Sequence, residues 1–167
     1  MTTLARLFQV LAPFSPTLAG TVPLGIQVAG SDLDILCHAP DLTAFEDALR
    51  QALAGVEGSA IERAATEPPA VLGRCEVSGF PVEVFGQPLP VAEQAAFQHM
   101  VLEGRLLSLG GTALRAAVIE RKRNGLKTEP AFADLLGLAG DPYQGLLELR
   151  GWSDDQLADL LSKVGQL

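Results

Sequence analysis

Apolar residues near the start of the chain recur at helical spacing. Leu4, Leu7, Phe8 and Leu11 share one face, and Pro13 closes the segment. Pro13 and Pro16 then bracket a turn. Beyond them the period shortens. Val22, Leu24, Ile26 and Val28 alternate with other residues, which predicts a strand. Ala29, Gly30 and Ser31 predict a tight turn, and residues 32–37 alternate again as the returning strand. Asp41 or Thr43 is placed to cap a following helix, with Phe45, Ala48, Leu49 and Leu53 on its inner face. Residues 55–69 read as a loop that can include a short strand in SAIERAA. VLGRCEV and FPVEVFG flank Ser78-Gly79, the signal of a two-residue hairpin turn. From Pro90 onward the pattern is helical. One helix covers 91–109 and Gly110-Gly111 interrupts it; a second covers 112–123 and ends at Asn124-Gly125. Shorter helices follow near 130–137, 142–149 and 153–164.

The expected class is therefore α+β: an N-terminal helix, a small mixed β-sheet and a helical C-terminal half. The chain reads as a single domain over 1–167, with a sheet-containing half at 1–89 and a helical half at 90–167. A length of 167 residues suits one domain, and a hydrophobic share of 48% supplies a core that needs no disulfide or structural metal to fold.

Two cysteines, Cys37 and Cys75, lack zinc-type spacing and are too few for a disulfide framework. The N-terminus has no basic region ahead of an apolar run, and no stretch approaches the roughly 18 apolar residues of a membrane span. These features predict a cytoplasmic protein with no membrane partner. The formal charge of -8 argues against long nucleic acids as partners, since binding them usually needs a basic face. Arg115, Arg121, Lys122, Arg123 and Lys127 nevertheless cluster, either to meet a small anion such as a triphosphate or as a solvated helix end.

The candidate chemistry is carried by acids. On a strand, Asp32 and Asp34 point the same way, roughly 6.6 Å apart along the chain, while Leu33 and Ile35 point to the opposite face. Two carboxylates on one face repel unless a positive charge lies between them. Oxygen donors of this kind suit Mg2+ or Mn2+. Glu83 lies between Val82 and Val84 in an apolar strand, where an unpaired charge is expensive. If that strand neighbours the aspartate strand, the three acids can hold two metals about 3.5–4 Å apart.

Gly20-Thr21, Gly25 and Ser31-Asp32-Leu33-Asp34 together resemble the signature of the nucleotidyltransferase superfamily, the DNA polymerase beta-like fold. In that signature a Gly-Ser pair precedes, by about ten residues, an Asp-x-Asp that opens a strand, and a third acid follows on a later strand. VPLGIQVAGSDLDI is similar to the Val-Pro-Gly stretch of a small bacterial branch of the fold. FGQPLP, QHMVLEGRLL and GLKTEPAFADLLGLAGDPY resemble an uncharacterised bacterial family of the same fold, which extends the resemblance over most of the chain. The resemblance implies that Asp32, Asp34 and Glu83 ligate metal. It implies that Gly20 and Thr21 let backbone and hydroxyl donors approach a triphosphate, with Ser31 capping the turn or assisting. Thr21 stands in place of the usual serine, and Leu24 stands where many small members carry arginine or another polar residue. Many members also place a short helix where the 22–28 alternation predicts a strand.

Arg105 and Lys127 are candidate phosphate contacts. Lys127 precedes the helix that starts in KTEPAF, and the bland alternative is that Thr128 caps that helix while Lys127 is solvated. His99 shares a helical face with Ala95, Leu102, Leu106 and Leu109 and reads as a core histidine with Glu103 as its hydrogen-bond partner; a general-base role is the alternative. Cys37 reads as core packing and His38 as a loop residue.

The leading expectation is a metal-dependent nucleotidyltransferase that moves a nucleoside monophosphate from a triphosphate such as ATP to a hydroxyl of a small-molecule or protein acceptor, releasing pyrophosphate. Two alternatives stand beside it: a non-catalytic nucleotide- or protein-binding module, and a phosphohydrolase acting through the same carboxylates.

Overall fold

A computed structural model describes residues 2–164 and divides into two compact units. The first comprises residues up to Gly20 together with 30–97, and the second comprises 21–29 together with 98–164.

The first unit opens with α1 (Thr3–Val10), whose first turn is capped by the Thr2 hydroxyl accepting from the Ala5 amide. β1 (Thr17–Ala19) follows. The chain re-enters this unit at Gly30 and forms β2 (Leu33–His38), α3 (Leu42–Leu53), β3 (Ala60–Ala64), β4 (Ala70–Val77) and β5 (Phe80–Gln87). The sheet order is β1-β2-β5-β4-β3. Only the β2–β5 pair is parallel, so the sheet is mixed. The parallel pair requires a crossover, and α3 lies within it.

One face of this sheet packs on α1 and α3. Its core contains Leu7, Leu11, Phe45, Leu49, Ile35, Cys37, Val71, Val82 and Val84, all buried. Gly73 and Gly86 belong to that face because side chains there would run into Leu49 and Phe45. The Asp41 carboxylate caps α3 by accepting from the Thr43 and Ala44 amides at 2.9 and 3.0 Å. At the other end of α3, the Arg6 guanidinium donates to the carbonyls of Gln51 and Ala54, adding a partner to acceptors at the helix end. β4 and β5 form the expected hairpin. Ser78 (φ 54°) and Gly79 (φ 84°) both take the left-handed conformation that a two-residue hairpin turn favours.

The second unit contains α2 (Thr21–Leu24), most of α4 (Ala95–Arg123), α5 (Thr128–Leu136), α6 (Pro142–Glu148) and α7 (Asp154–Val164). Gly111 takes φ 61° and ψ -152° and kinks α4 at the interruption that Gly110-Gly111 predicts. Leu102, Leu106, Leu114, Val118, Phe132, Leu146 and Leu157 form the core. Ile26 joins them fully buried, although its segment lies between β1 and β2 in sequence.

The strand expected over 22–28 is not formed. Thr21–Leu24 make one helical turn and the chain then runs without regular structure to the turn at Ala29-Gly30. Gly20 and Gly25, both at positive φ, bend the chain on either side of that turn, and Pro23 lacks an amide to donate to a ladder. Only Ile26 of the alternating set is fully buried. The alternation therefore marks one anchor in a helical core and not the two faces of a strand. The helix expected from residue 91 begins instead at Ala95, after a short 3-10 turn over Val91–Glu93.

Candidate active site

β2 and β5 present the acids. Ile35 and Cys37 on β2, and Val82 and Val84 on β5, face the α1–α3 core. By alternation, Asp34 and Glu83 occupy the opposite face. They are register partners on adjacent parallel strands, which run about 4.8 Å apart. Asp32 lies one residue before the start of β2 and is exposed. The same-face pairing of Asp34 with Glu83 follows from strand register.

Gly20 follows the last residue of β1, and Ala19 is the register partner of Asp34. Gly20 therefore lies beside the Asp34 carboxylate. A Cβ there would collide with Asp34 Oδ2, and the backbone at φ 73° is left-handed. Glycine meets both demands. Thr21 opens α2, and its hydroxyl is buried without a hydrogen-bond partner. Ser31 is half-buried just before β2.

Glu83 has a cationic neighbour that the sequence reading missed. Arg74, its register partner on β4, donates from Nε to Glu83 Oε2 at 3.1 Å and from Nη1 to Glu62 Oε1 at 2.6 Å. The two glutamates hold the Arg74 guanidinium firmly protonated. A signal for this pair was present. A two-residue turn at Ser78-Gly79 obliges residues equidistant from it to face each other, and Arg74 and Glu83 are equidistant.

The remaining candidates lie in the second unit. The Arg105 guanidinium is engaged by Asp154 at 2.7 and 3.0 Å and by the Trp152 carbonyl at 2.6 Å, bridging α4 to the start of α7. Lys127 is exposed and is itself the N-cap residue of α5, with no capping side-chain bond. Thr128, expected as the cap, is the first residue of the helix, and its Oγ1 accepts from Lys122 Nζ at 3.0 Å. Within the basic cluster, Arg115 donates to the carbonyls of Leu24 and Gly25, and Arg121 pairs with Asp134 at 2.6 Å. Those two arginines hold the unit's own backbone and helices. His99 is buried, as its face predicts, but its Nδ1 and Glu103 Oε1 have no hydrogen-bond partner. The expected satisfied pair is not made at those atoms. Cys37 is core, and burial pushes its thiol up to about 12. His38 ends β2 instead of lying in a loop.

Residues 2–149 match the model of a family described as a domain of unknown function, DUF4269. The chain belongs to the DUF4269 family. No curated protein matches this family member. Solved structures do. A cytoplasmic RNA terminal U-transferase shares 14% identity at a TM-score of 0.55 over 86% of this chain and 40% of that one. The Cid1 poly(U) polymerase with MgGTP bound shares 13% at 0.54, over 86% and 45%. The GLD-2/RNP-8 complex shares 11% at 0.56, over 97% and 72%. The chain thus spans less than half the length of the first two. Likeness at this identity establishes the fold, which is of the nucleotidyltransferase type. The argument from net charge against long nucleic acids draws no support from these neighbours, one of which is an RNA terminal U-transferase. Among the described residues, no helix is long and apolar enough to cross a membrane.

Proposed function

We propose that this DUF4269 protein is a metal-dependent nucleotidyltransferase that transfers a nucleoside monophosphate from a triphosphate to a hydroxyl acceptor and releases pyrophosphate. The observation that carries the proposal is the register pairing of Asp34 with Glu83 on one face of the sheet, with Gly20 seated against Asp34. In this reading Asp32, Asp34 and Glu83 hold Mg2+ or Mn2+, whose positive charge lets an attacking oxygen approach a polyphosphate. The donor set fits such an ion, since all the ligands are carboxylate oxygens. The neighbour with MgGTP bound supports the same choice of ligand class.

The chain's own groups do the rest. Gly20 keeps Cβ bulk away from the Asp34 carboxylate. Glu83 accepts the acceptor's hydroxyl proton as that oxygen bonds to the α-phosphorus and the bond to pyrophosphate breaks. Arg74 holds Glu83 in position for that task.

The Arg74–Glu83 ion pair also favours a second reading, a non-catalytic nucleotide-binding module, because the third acid already has a counter-charge. The two are separated by incubating the protein with α-labelled triphosphates, Mg2+ or Mn2+ and a panel of hydroxyl acceptors. Transferase activity predicts labelled product that is lost in Asp34→Asn and Glu83→Gln, by about a hundredfold or more for a group acting in the transition state. Nucleotide binding that persists in both variants, with no labelled product from the wild type, assigns the binding module.

A further inference from the structure

The helical unit carries a second set of metal-ligand side chains, unrelated in sequence to the three acids above. His99 and Glu103 lie one turn apart on α4, and Glu129 lies in the first turn of α5. One ligand-type atom from each of the three lies within 4.8 Å of the others. The i,i+4 spacing places His99 and Glu103 on the same helix face, and Glu129 meets them across the turn at Asn124-Gly125.

Burial distinguishes this group from a solvated acidic patch. His99 is 5% exposed and Glu103 is 3% exposed, while Glu129 is half-buried at the rim. His99 Nδ1 and Glu103 Oε1 are both enclosed and without a hydrogen-bond partner. An unsatisfied polar atom in such a place costs about 1–3 kcal/mol, and two on side chains whose ligand-type atoms cluster point to a missing shared partner. A metal ion can accept a lone pair from an imidazole nitrogen and from a carboxylate oxygen at once. Lys122 lies close enough to favour the ionised form of Glu103, and its Nζ also donates to Thr128. His99 and Glu103 are the enclosed members of the group, and Glu129 and Lys122 are the charged groups that act on them. Neutral imidazole is the form that binds metal.

We propose that His99, Glu103 and Glu129 form a structural site for one divalent transition-metal ion of the zinc type, joining α4 to α5. One imidazole and two carboxylates match Zn2+, whereas Mg2+ and Ca2+ prefer all-oxygen shells. The half-buried Glu129 marks the route of entry. The Tyr143 ring on α6 stands edge-on to the His99 ring, with centroids 6.0 Å apart, and limits its rotation as an outer-shell group does.

The test uses the full chain stripped of metal by a chelator, in an Asp32→Ala, Asp34→Ala background that removes the other carboxylate pair. Zn2+ is titrated against a chromophoric chelator while the imidazole resonances are followed by NMR; the two histidines, His38 and His99, are distinguished by a His38→Gln variant. The expected result is one equivalent bound, a shift of the His99 resonances complete at that equivalent, and a raised thermal midpoint. Glu103→Gln preserves shape and removes only the ionisable oxygen, and Glu129→Gln does the same at the rim. Each should weaken Zn2+ by about tenfold or more and abolish the thermal gain. Millimolar Mg2+ should leave the His99 resonances in place. Zn2+ that leaves those resonances unmoved, or that binds equally well to both glutamine variants, overturns the assignment.

Discussion

Gly20 joins two constraints at one residue: a left-handed backbone at φ 73° and contact with the Asp34 carboxylate. Gly20→Ala is expected to lose about 1–3 kcal/mol of stability, measured by urea unfolding, because alanine is strained at that φ and its methyl displaces the carboxylate. Transferase activity should fall further than stability does, since the carboxylate moves even in molecules that fold. Cys37 supplies a pH prediction at the same scale. Its thiol, ordinarily near 9.0, is raised to about 12 by burial behind β2. Between those values the folded chain keeps a proton that the unfolded chain releases. Stability is thus intact below pH 9 and declines as pH rises towards 12, by up to about 1.4 kcal/mol per pH unit from this group. The chemical-denaturation midpoint followed from pH 8 to 11 should show that slope, and Cys37→Ala should flatten it. Burial also raises the Cys75 thiol, so a slope unchanged in Cys37→Ala would assign the effect to Cys75.

At the scale of elements, caps and turns were legible because they depend on neighbours in sequence. Asp41 and Thr43 ahead of an apolar helical stretch marked the start of α3, and the structure makes Asp41 the cap. Asp41→Ala should cost about 1 kcal/mol in thermal unfolding, since the Thr43 and Ala44 amides lose their acceptor. Ser78-Gly79 identified the β4–β5 hairpin, and the register that this turn sets faces Arg74 to Glu83, a consequence the sequence reading missed. The 22–28 segment was misread for the opposite reason. Its alternating residues satisfy the strand period, but the partner that buries Ile26 is a set of helices about eighty residues later. Periodicity reports which residues are apolar and says nothing about which surface receives them.

For the whole molecule, the proposed activity ties nucleotide binding to divalent metal. A magnesium–nucleoside triphosphate complex at a hundredfold excess over its dissociation constant should stabilise the fold by about 2.7 kcal/mol. Differential scanning calorimetry should show the midpoint rising with MgATP or another Mg2+–triphosphate, and returning to the unliganded value when EDTA is added. A nucleotide shift that survives EDTA would favour the non-catalytic reading. The charge of -8 is also a whole-molecule quantity. It sums over all surfaces, so it does not describe the local field at any one of them.

The helices and strands from β2 onward, the start of α3, the hairpin turn, the α4 interruption and the choice of Asp32, Asp34 and Glu83 as candidates were legible in the sequence alone, whereas β1 and α2 were not. Each depends on local stereochemistry or on a polar residue placed in an apolar context. The tertiary structure decided the rest. It set Asp34 level with Glu83, placed Gly20 against Asp34, carried Ile26 into the helical core and gathered His99, Glu103 and Glu129. Those juxtapositions join residues far apart in the chain, and strand register and helix packing fix them through contacts that no local pattern encodes.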